Sequence, residues 1–136
     1  PDENTAVSLT GGCDGRTLVS CALYYKKKIQ AYSFGKKNTS DTTIAGELAK
    51  GAGINFTEID LNKEYISAHS LNNGLEFVIN SNGTGGFARA HYLYAAKLLQ
   101  SNFNYLITGN FGSEIFRAVH NIGAVISTNL HHLLNF

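Results

Sequence analysis

A glycine-rich turn near the start of the chain holds residue types that can bind an anion. Residues 6–18 read AVSLTGGCDGRTL, so an apolar run meets two adjacent glycines, an aspartate and an arginine. Gly11 and Gly12 allow backbone conformations that other residues avoid, and successive amides in such a turn form a concave anion site. A helix that begins near Arg16 would add the partial positive charge of its N-terminus. We therefore expect a phosphate group to fit this turn.

The aspartate in this turn restricts which anion can bind. The carboxylate of Asp14 repels a bare phosphate unless a cation such as Mg²⁺ joins the two groups. Thr10 adds a hydroxyl donor and Arg16 a charged fork. The turn thus predicts a site for a Mg²⁺-nucleotide or for pyrophosphate, with Asp14 as the metal ligand, although its spacing is not that of a Walker A loop. A tight strand-to-helix connection without a ligand explains the same residues equally well.

The composition indicates a globular chain. It has 136 residues, of which 43% are hydrophobic and 15% charged, and a net charge of +1. Such a chain can bury a core, and its charge favours neither nucleic acid nor a membrane surface. We interpret the basic run at residues 26–28 as a helix end in preference to a phosphate patch. Cys13 and Cys21 lack zinc-site or disulfide spacing, so we expect a reduced, cytoplasmic protein.

The histidines, the arginines and the start of the chain indicate less about function than the glycine-rich turn does. The five histidines have no metal-ligand spacing, and His91 shares the apolar face of a predicted helix, where a core role is expected. Arg89 and Arg117 could reach phosphate, but surface pairing is the simpler interpretation. Because the chain starts at Pro1 and contains no methionine, we expect residues 1–136 to be a single domain from a longer protein.

Strand and helix patterns alternate along the chain. Strands are predicted at residues 5–9, 29–34, 55–61 and 105–108, with a fifth at 123–128. Helices are predicted at residues 16–28, 41–52 and 87–101, with a last one after a turn at 109–113. Residues 62–82 are predicted to be helical with a break near Asn72, Asn73 and Gly74, and residues 80–86 to form a loop.

This alternation predicts an α/β fold, a doubly wound parallel sheet with helices on both faces. In such sheets a ligand lies beyond the carboxyl ends of the strands, where the winding reverses. Glycine turns at residues 10–15 and 109–113 follow the first and fourth strands. If these two strands are neighbours, one ligand could contact both turns.

Three segments together resemble the asparagine synthase family, glutamine-hydrolysing type, of the N-type ATP pyrophosphatase (PP-loop) superfamily. SLTGGCDGRTL at residues 8–18 looks like the S-G-G-x-D-S pyrophosphate loop. SFGKKNTSDTTIAGELA at residues 33–49 resembles the segment after strand two, and LITGNFGSEIF at residues 106–116 resembles the second nucleotide motif. The segments occur in the family's order, and the resemblance implies its C-terminal synthetase domain, with an adenine nucleotide alpha hydrolase-like fold.

By position, the resemblance implies ATP- and pyrophosphate-binding residues in each segment. The first segment contributes Ser8, Leu9, Thr10, Gly11, Gly12, Asp14 and Gly15, with Asp14 near Mg²⁺, and the turn chemistry adds Arg16. The second contributes Ser33, Phe34 and Gly35, facing adenine, and Asp41, which could equally stabilise the first turn of its own helix. The third contributes Gly109, Asn110, Gly112, Ser113 and Glu114.

The resemblance implies an ATP-dependent carbon–nitrogen ligase of asparagine biosynthesis, although no catalytic side chain is assigned. A carboxylate, aspartate in the type case, attacks the α-phosphorus of ATP and releases pyrophosphate. Ammonia then converts the acyl-adenylate to an amide. The implied cofactors are ATP and Mg²⁺, and the implied partners are a nucleotide, a carboxylic acid and an ammonia source. A homodimer is allowed, no nucleic-acid or membrane partner is expected, and this chain alone is expected to be inactive.

Several positions depart from the family pattern. Gly15 stands in place of the loop's last serine, and Phe111 in place of a small residue. Asn110 and Ser113 occupy acidic positions of the second motif, and the loss of two negative charges should weaken Mg²⁺ binding. An alternative is therefore a degenerate relative that binds nucleotide or phosphate without turnover. A third hypothesis is a protein-interaction module that uses the same fold.

Overall fold

The computed structural model describes residues 4–109 of the chain. The strands are β1 (Thr5–Ser8), β2 (Gln30–Gly35), β3 (Phe56–Asp60) and β4 (Tyr105–Ile107). The helices are α1 (Cys13–Tyr24), α2 (Ser40–Gly51), α3 (Ser70–Asn80) and α4 (Ala90–Leu99). A π-helical turn (Tyr65–His69) leads into α3, and a 3₁₀ turn (Phe87–Arg89) leads into α4. The predicted last helix and fifth strand lie outside the described residues.

The four strands form one parallel sheet in the order β3-β2-β1-β4. The chain moves outward from β1 through β2 to β3, and then returns to the other side of β1. The winding therefore reverses between β1 and β4, which is where an open α/β sheet has its ligand crevice. The predicted fold class, a doubly wound parallel α/β sheet, is confirmed, and the first and fourth strands are neighbours as the ligand hypothesis requires.

Helices cover both faces of the sheet because successive strand residues point in opposite directions. On one face α1 and α2 pack through a layer that consists of Val7, Leu9, Val19, Ala31, Ala45 and Ala49. On the other face α4 packs through Ala6, Tyr32, Ile59, Ala95, Leu99 and Phe103. Tyr32 and Ala31 are adjacent in β2 and so belong to different layers, which shows that both faces of the central strands are buried.

Helix α1 starts and ends earlier than predicted. It begins at Cys13 and ends at Tyr24, whereas the apolar pattern predicted residues 16–28. Lys26 adopts a left-handed conformation with φ of 54°, and its amide donates to the carbonyl of Leu23 at 2.9 Å. This backbone pattern ends the helix. The basic run at residues 26–28 therefore lies in the turn beyond the helix and not in its last turn.

The predicted break in the segment 62–82 is absent, because α3 runs without interruption through Asn73 and Gly74. The buried Asn73 side chain donates to the His69 carbonyl at 2.8 Å and accepts from Lys97 Nζ at 3.2 Å. A Cβ atom on Gly74 would lie 2.2 Å from the ring of Phe87. Two residues that disfavour helices are therefore kept here because they let α4 and the 3₁₀ turn pack against α3.

Candidate functional site

The connection between β1 and α1 lies at the carboxyl edge of the sheet, and residues 9–16 are called the glycine loop below. The amide of Gly12 donates to Thr10 Oγ1 at 3.1 Å, which closes the loop on itself. Gly12 is extended, with φ of −72° and ψ of 162°, and α1 begins at the next residue without a side-chain cap. A helix start of this kind presents backbone N–H groups and a partial positive charge to an anion.

Arg16 folds back along the glycine loop. Its Nε donates to the Gly12 carbonyl at 3.1 Å, and its Nη2 donates to Cys13 Sγ at 3.3 Å. These two bonds use part of the guanidinium, which has five N–H donors in all. The remaining donors of this exposed side chain stay beside the first turn of α1, where a phosphate oxygen could accept them.

Gly15 is the place where α1 approaches β1 most closely. A Cβ atom on Gly15 would lie 2.7 Å from the Ser8 carbonyl oxygen and 3.2 Å from the Cα of Leu9. No side chain fits at such distances from a backbone. The glycine at this position therefore has a packing reason, because the absence of a side chain allows direct contact between α1 and β1.

Gly109, which follows β4, lies against the glycine loop. A Cβ atom on Gly109 would lie 2.7 Å from the Asp14 Cβ and 3.3 Å from the Gly15 nitrogen. The start of the second motif is thus placed against the first turn of α1, as expected if β1 and β4 are neighbours. The other residues assigned to that motif, Asn110, Gly112, Ser113 and Glu114, lie outside the described residues.

The segment after β2 approaches the glycine loop from the other side. A Cβ atom on Gly11 would be in ordinary contact with Ile44 of α2, 3.4 Å from its Cδ1. Gly35 faces the start of α2, where a Cβ would lie 3.4 Å from Thr42 Cγ2. Asp41 is exposed in the first turn of α2. That position is compatible with both predicted roles of Asp41, nucleotide binding and stabilisation of the first turn of its own helix.

Ser33 and Phe34 point to opposite faces of β2. Ser33 is 1% exposed, and among residues 4–109 its hydroxyl has no hydrogen-bond partner. Phe34 packs on the α4 side, with its ring centroid 4.9 Å from His91 and 5.2 Å from Tyr92. Burial lowers the pKa of His91, with a further lowering from Arg89, while a hydrogen bond to a backbone carbonyl opposes the shift.

Ser8 lies on the α4 side of the sheet, opposite Tyr32 in the parallel pairing of β1 with β2. Burial raises the pKa of the Tyr32 phenol, and a side-chain hydrogen bond with Ser8 opposes that rise. No sequence motif predicted a role for Tyr32. Alternation along the two strands could have placed Ser8 and Tyr32 on one face, but their pairing depends on a register that a sequence does not state.

The described residues offer few metal ligands. Within residues 4–109 no group of three His, Cys, Asp or Glu side chains could hold a metal ion. Asp14 is the one carboxylate of the glycine loop. A single carboxylate is compatible with Mg²⁺ when nucleotide phosphates and water supply its other ligands, so a metal ion would fit here only together with the nucleotide.

A groove with a volume of about 740 Å³ lies at the opposite, amino edge of the sheet. Lys26, Lys28, Asn4 and Asn55 are among its lining residues, and no residue of the glycine loop is. Parallel sheets bind ligands at the carboxyl ends of their strands, and Gly109 meets the glycine loop there. The candidate site is therefore placed at the carboxyl edge despite the size of this groove.

The chain has a structural neighbour but no sequence relative that settles its family. No protein-family model matches it, and no curated protein does. It resembles the crystal structure of a predicted subunit of tRNA methyltransferase from Methanocaldococcus jannaschii, with a TM-score of 0.53 and 15% identity. The likeness covers 96% of this chain and 73% of that one. It is a likeness of fold.

These findings support the predicted fold class but not the asparagine synthase family. The identity of this neighbour to the chain is too low to carry a superfamily or an activity across. In residues 4–109 no helix is long and apolar enough to cross a membrane.

Proposed function

We propose that the chain binds the phosphates of an adenine nucleotide on the glycine loop. The observation that carries the proposal is the contact of the Gly109 backbone with Asp14 and Gly15, at the point where the winding reverses. Gly109 and the glycine loop come from distant parts of the sequence and meet there beside an uncapped helix start. Ligand crevices of doubly wound sheets lie at this position.

Several groups of the glycine loop have a role in this proposal. The amides at the start of α1 bind phosphate oxygens, and Thr10 orients the loop through its bond with the Gly12 amide. Arg16 adds its remaining guanidinium donors, and a guanidinium can donate to two oxygens of one phosphate. Asp14 would hold a Mg²⁺ ion that enters with the nucleotide.

The finer proposal is a synthetase domain of an asparagine-synthase-like ligase, supported by the three resembling segments. In that reaction a carboxylate oxygen forms a bond to the α-phosphorus of ATP, and the bond to pyrophosphate breaks. Ammonia then attacks the acyl carbon, AMP leaves, and a proton is released with the amide. Loop amides would stabilise the charge that develops on the departing pyrophosphate. The partners proposed are small molecules, in a cytoplasmic protein that could form a homodimer.

A second candidate is a relative that binds nucleotide or phosphate without turnover. Asn110 and Ser113 remove two negative charges from the resembling motif. The glycine loop supplies one carboxylate, whereas tight Mg²⁺ sites commonly use more oxygen ligands. On this account the anion site persists after the catalytic metal site has weakened.

Competition and exchange experiments test both versions. If the loop binds phosphates, pyrophosphate should displace a fluorescent ATP analogue from the chain, whereas adenosine should not. Displacement by adenosine but not by pyrophosphate would contradict the proposal. Exchange of labelled pyrophosphate into ATP in the presence of aspartate or other carboxylic acids would then support the ligase, and binding without exchange that is also indifferent to Mg²⁺ would support the second candidate.

A further inference from the structure

The groove at the amino edge of the sheet collects positive charge from one short segment of the chain. Lys26, Lys27 and Lys28 all line this groove. Because α1 ends at Tyr24 and Lys26 is left-handed with φ of 54°, the three lysines lie beyond the helix. Within residues 4–109, no Asp or Glu lines the groove, and none forms a salt bridge with these lysines. The groove therefore presents their charge to solvent and suits an anion.

Amide side chains add hydrogen-bonding groups to the same groove. Asn4, Gln30 and Asn55 line it, and each side-chain amide can both donate and accept hydrogen bonds. Val7 and Ile29 contribute apolar surface to the lining. A matching ligand thus combines negative charge with polar edges and apolar rings.

Two exposed tyrosines stand directly before the basic run. Tyr24 and Tyr25 are 79% and 68% exposed, and their rings meet edge to face with centroids 5.1 Å apart. Rings this exposed contribute little to the core of the fold, whereas nucleic-acid bases stack on such rings. A basic groove beside exposed aromatic side chains is the usual arrangement in proteins that bind single strands.

We propose that this groove binds the phosphate backbone of single-stranded nucleic acid through Lys26, Lys27 and Lys28, with bases stacked on Tyr24 or Tyr25. The site is separate from the proposed nucleotide site, because the groove lies at the opposite edge of the sheet and shares no lining residue with the glycine loop. An extended strand fits a concave groove, whereas a flat membrane surface does not.

The net charge of the chain gave no indication of this ligand. It is only +1, and on that ground no nucleic-acid partner was expected. A net charge sums over the whole chain, so acidic residues elsewhere offset the local cluster. The field that a strand meets is set by the groove itself.

The test uses the full chain of 136 residues and a fluorescein-labelled oligothymidylate of about twelve nucleotides, a length that single-strand binding modules cover. Fluorescence anisotropy at several salt concentrations gives the slope of log affinity against log salt. The variants Lys27→Gln, Lys28→Gln and their double variant leave the left-handed backbone at Lys26 unchanged. Lys63→Gln is the control, because it removes one exposed lysine beyond the carboxyl end of β3.

If the three lysines each neutralise one phosphate, the slope should be about −2, because each such contact on a single strand contributes about −0.7. Each single variant should reduce the size of the slope by about 0.7, and the double variant should weaken binding at least about tenfold at low salt. Lys63→Gln should bind like the unmodified chain.

Stacking is tested separately from charge. The double variant Tyr24→Leu with Tyr25→Leu should weaken binding at least about fivefold, because it removes the rings on which bases stack. The matched double variant Tyr24→Phe with Tyr25→Phe keeps both rings and should bind nearly as well as the unmodified chain.

Absence of oligothymidylate binding at low salt would overturn the proposal. So would equal effects of Lys28→Gln and Lys63→Gln, or equal affinities of the leucine and phenylalanine variants. Displacement of the strand by ATP would mean that both ligands share one site, and binding to phosphatidylserine vesicles in place of the oligonucleotide would make the groove a membrane contact; either result contradicts the proposal. Failure of the chain to bind ATP would sink the proposed function alone, since the groove is tested with its own probe.

Discussion

Gly15 and Gly109 determine how closely the first turn of α1 can approach the ends of β1 and β4. Each leaves room for a backbone that a side chain would displace, the Ser8 carbonyl in one case and Asp14 with the Gly15 amide in the other. At Gly15 the requirement for glycine thus follows from packing. A change at this position should therefore affect both the stability of the fold and the shape of the loop.

Replacing Gly15 by alanine should lower the free energy of unfolding. The added Cβ meets a rigid carbonyl, an overpacking that costs about 1–3 kcal/mol, whereas the gain in helix propensity is at most about 1 kcal/mol. Gly51→Ala is the matched control, because a Cβ on Gly51 meets nothing within 4 Å. Urea unfolding monitored by circular dichroism measures both variants. Equal or greater stability of Gly15→Ala than of the unmodified chain would contradict this packing account.

The hydroxyl of Thr10 should contribute to nucleotide affinity. Thr10→Val removes the acceptor of the Gly12 amide, and a hydrogen bond of this kind contributes about 0.5–1.5 kcal/mol. We expect the dissociation constant for ATP to rise about twofold to tenfold, while Thr10→Ser, which keeps the oxygen, binds nearly as well as threonine. Fluorescence titration of the three proteins is sufficient. Equal weakening by serine and valine would mean that the hydroxyl has no part in binding.

At the scale of elements, α4 shows how local signals and tertiary contacts combine. Its apolar face was readable from the sequence, and it packs on the sheet through Ala95 and Leu99. Its N-terminal turn brings His91 against Phe34 and Tyr92, with ring centroids 4.9 Å and 4.6 Å away. That contact places a titratable group near the carboxyl end of β2, so the stability of the fold should depend on pH.

Stability should fall as the pH is lowered from 7 toward 5. Burial lowers the pKa of His91 below its ordinary value of 6.5, so the unfolded chain binds a proton more readily in this range, and protonation favours unfolding. His91→Gln should show a flatter decline in the free energy of unfolding, and His69→Gln controls for the other described histidine. Urea unfolding at pH 7, 6 and 5 gives the slopes. An identical slope in the unmodified chain and in His91→Gln would refute this role of His91.

The sequence was most informative about the order and type of elements. Apolar periodicity predicted β1 to β4 and the helices between them, because a sheet buried on both faces needs apolar strands. It failed where tertiary contact decides. The continuous α3 depends on Asn73 bonding to Lys97 and on Gly74 meeting Phe87, and neither partner is nearby in sequence.

At the scale of the whole molecule, the reversal of winding between β1 and β4 is what brings Gly109 to the glycine loop. That meeting was predictable in outline, since parallel strands share one carboxyl edge. The closeness of Gly109 to Asp14 and the pairing of Ser8 with Tyr32 were not, because both depend on strand register. The proposed nucleotide site therefore depends on a geometry that only the fold provides.

The measurement that tests nucleotide binding by the glycine loop most directly is a calorimetric titration of the chain with ATP, with and without Mg²⁺. We expect saturable binding to a single site, and Gly15→Ala should weaken it because that substitution displaces the start of α1 from β1. Binding that requires Mg²⁺ would support the ligase version, and binding indifferent to Mg²⁺ would support the version without turnover. The absence of binding under both conditions would contradict the proposal that the glycine loop holds a nucleotide.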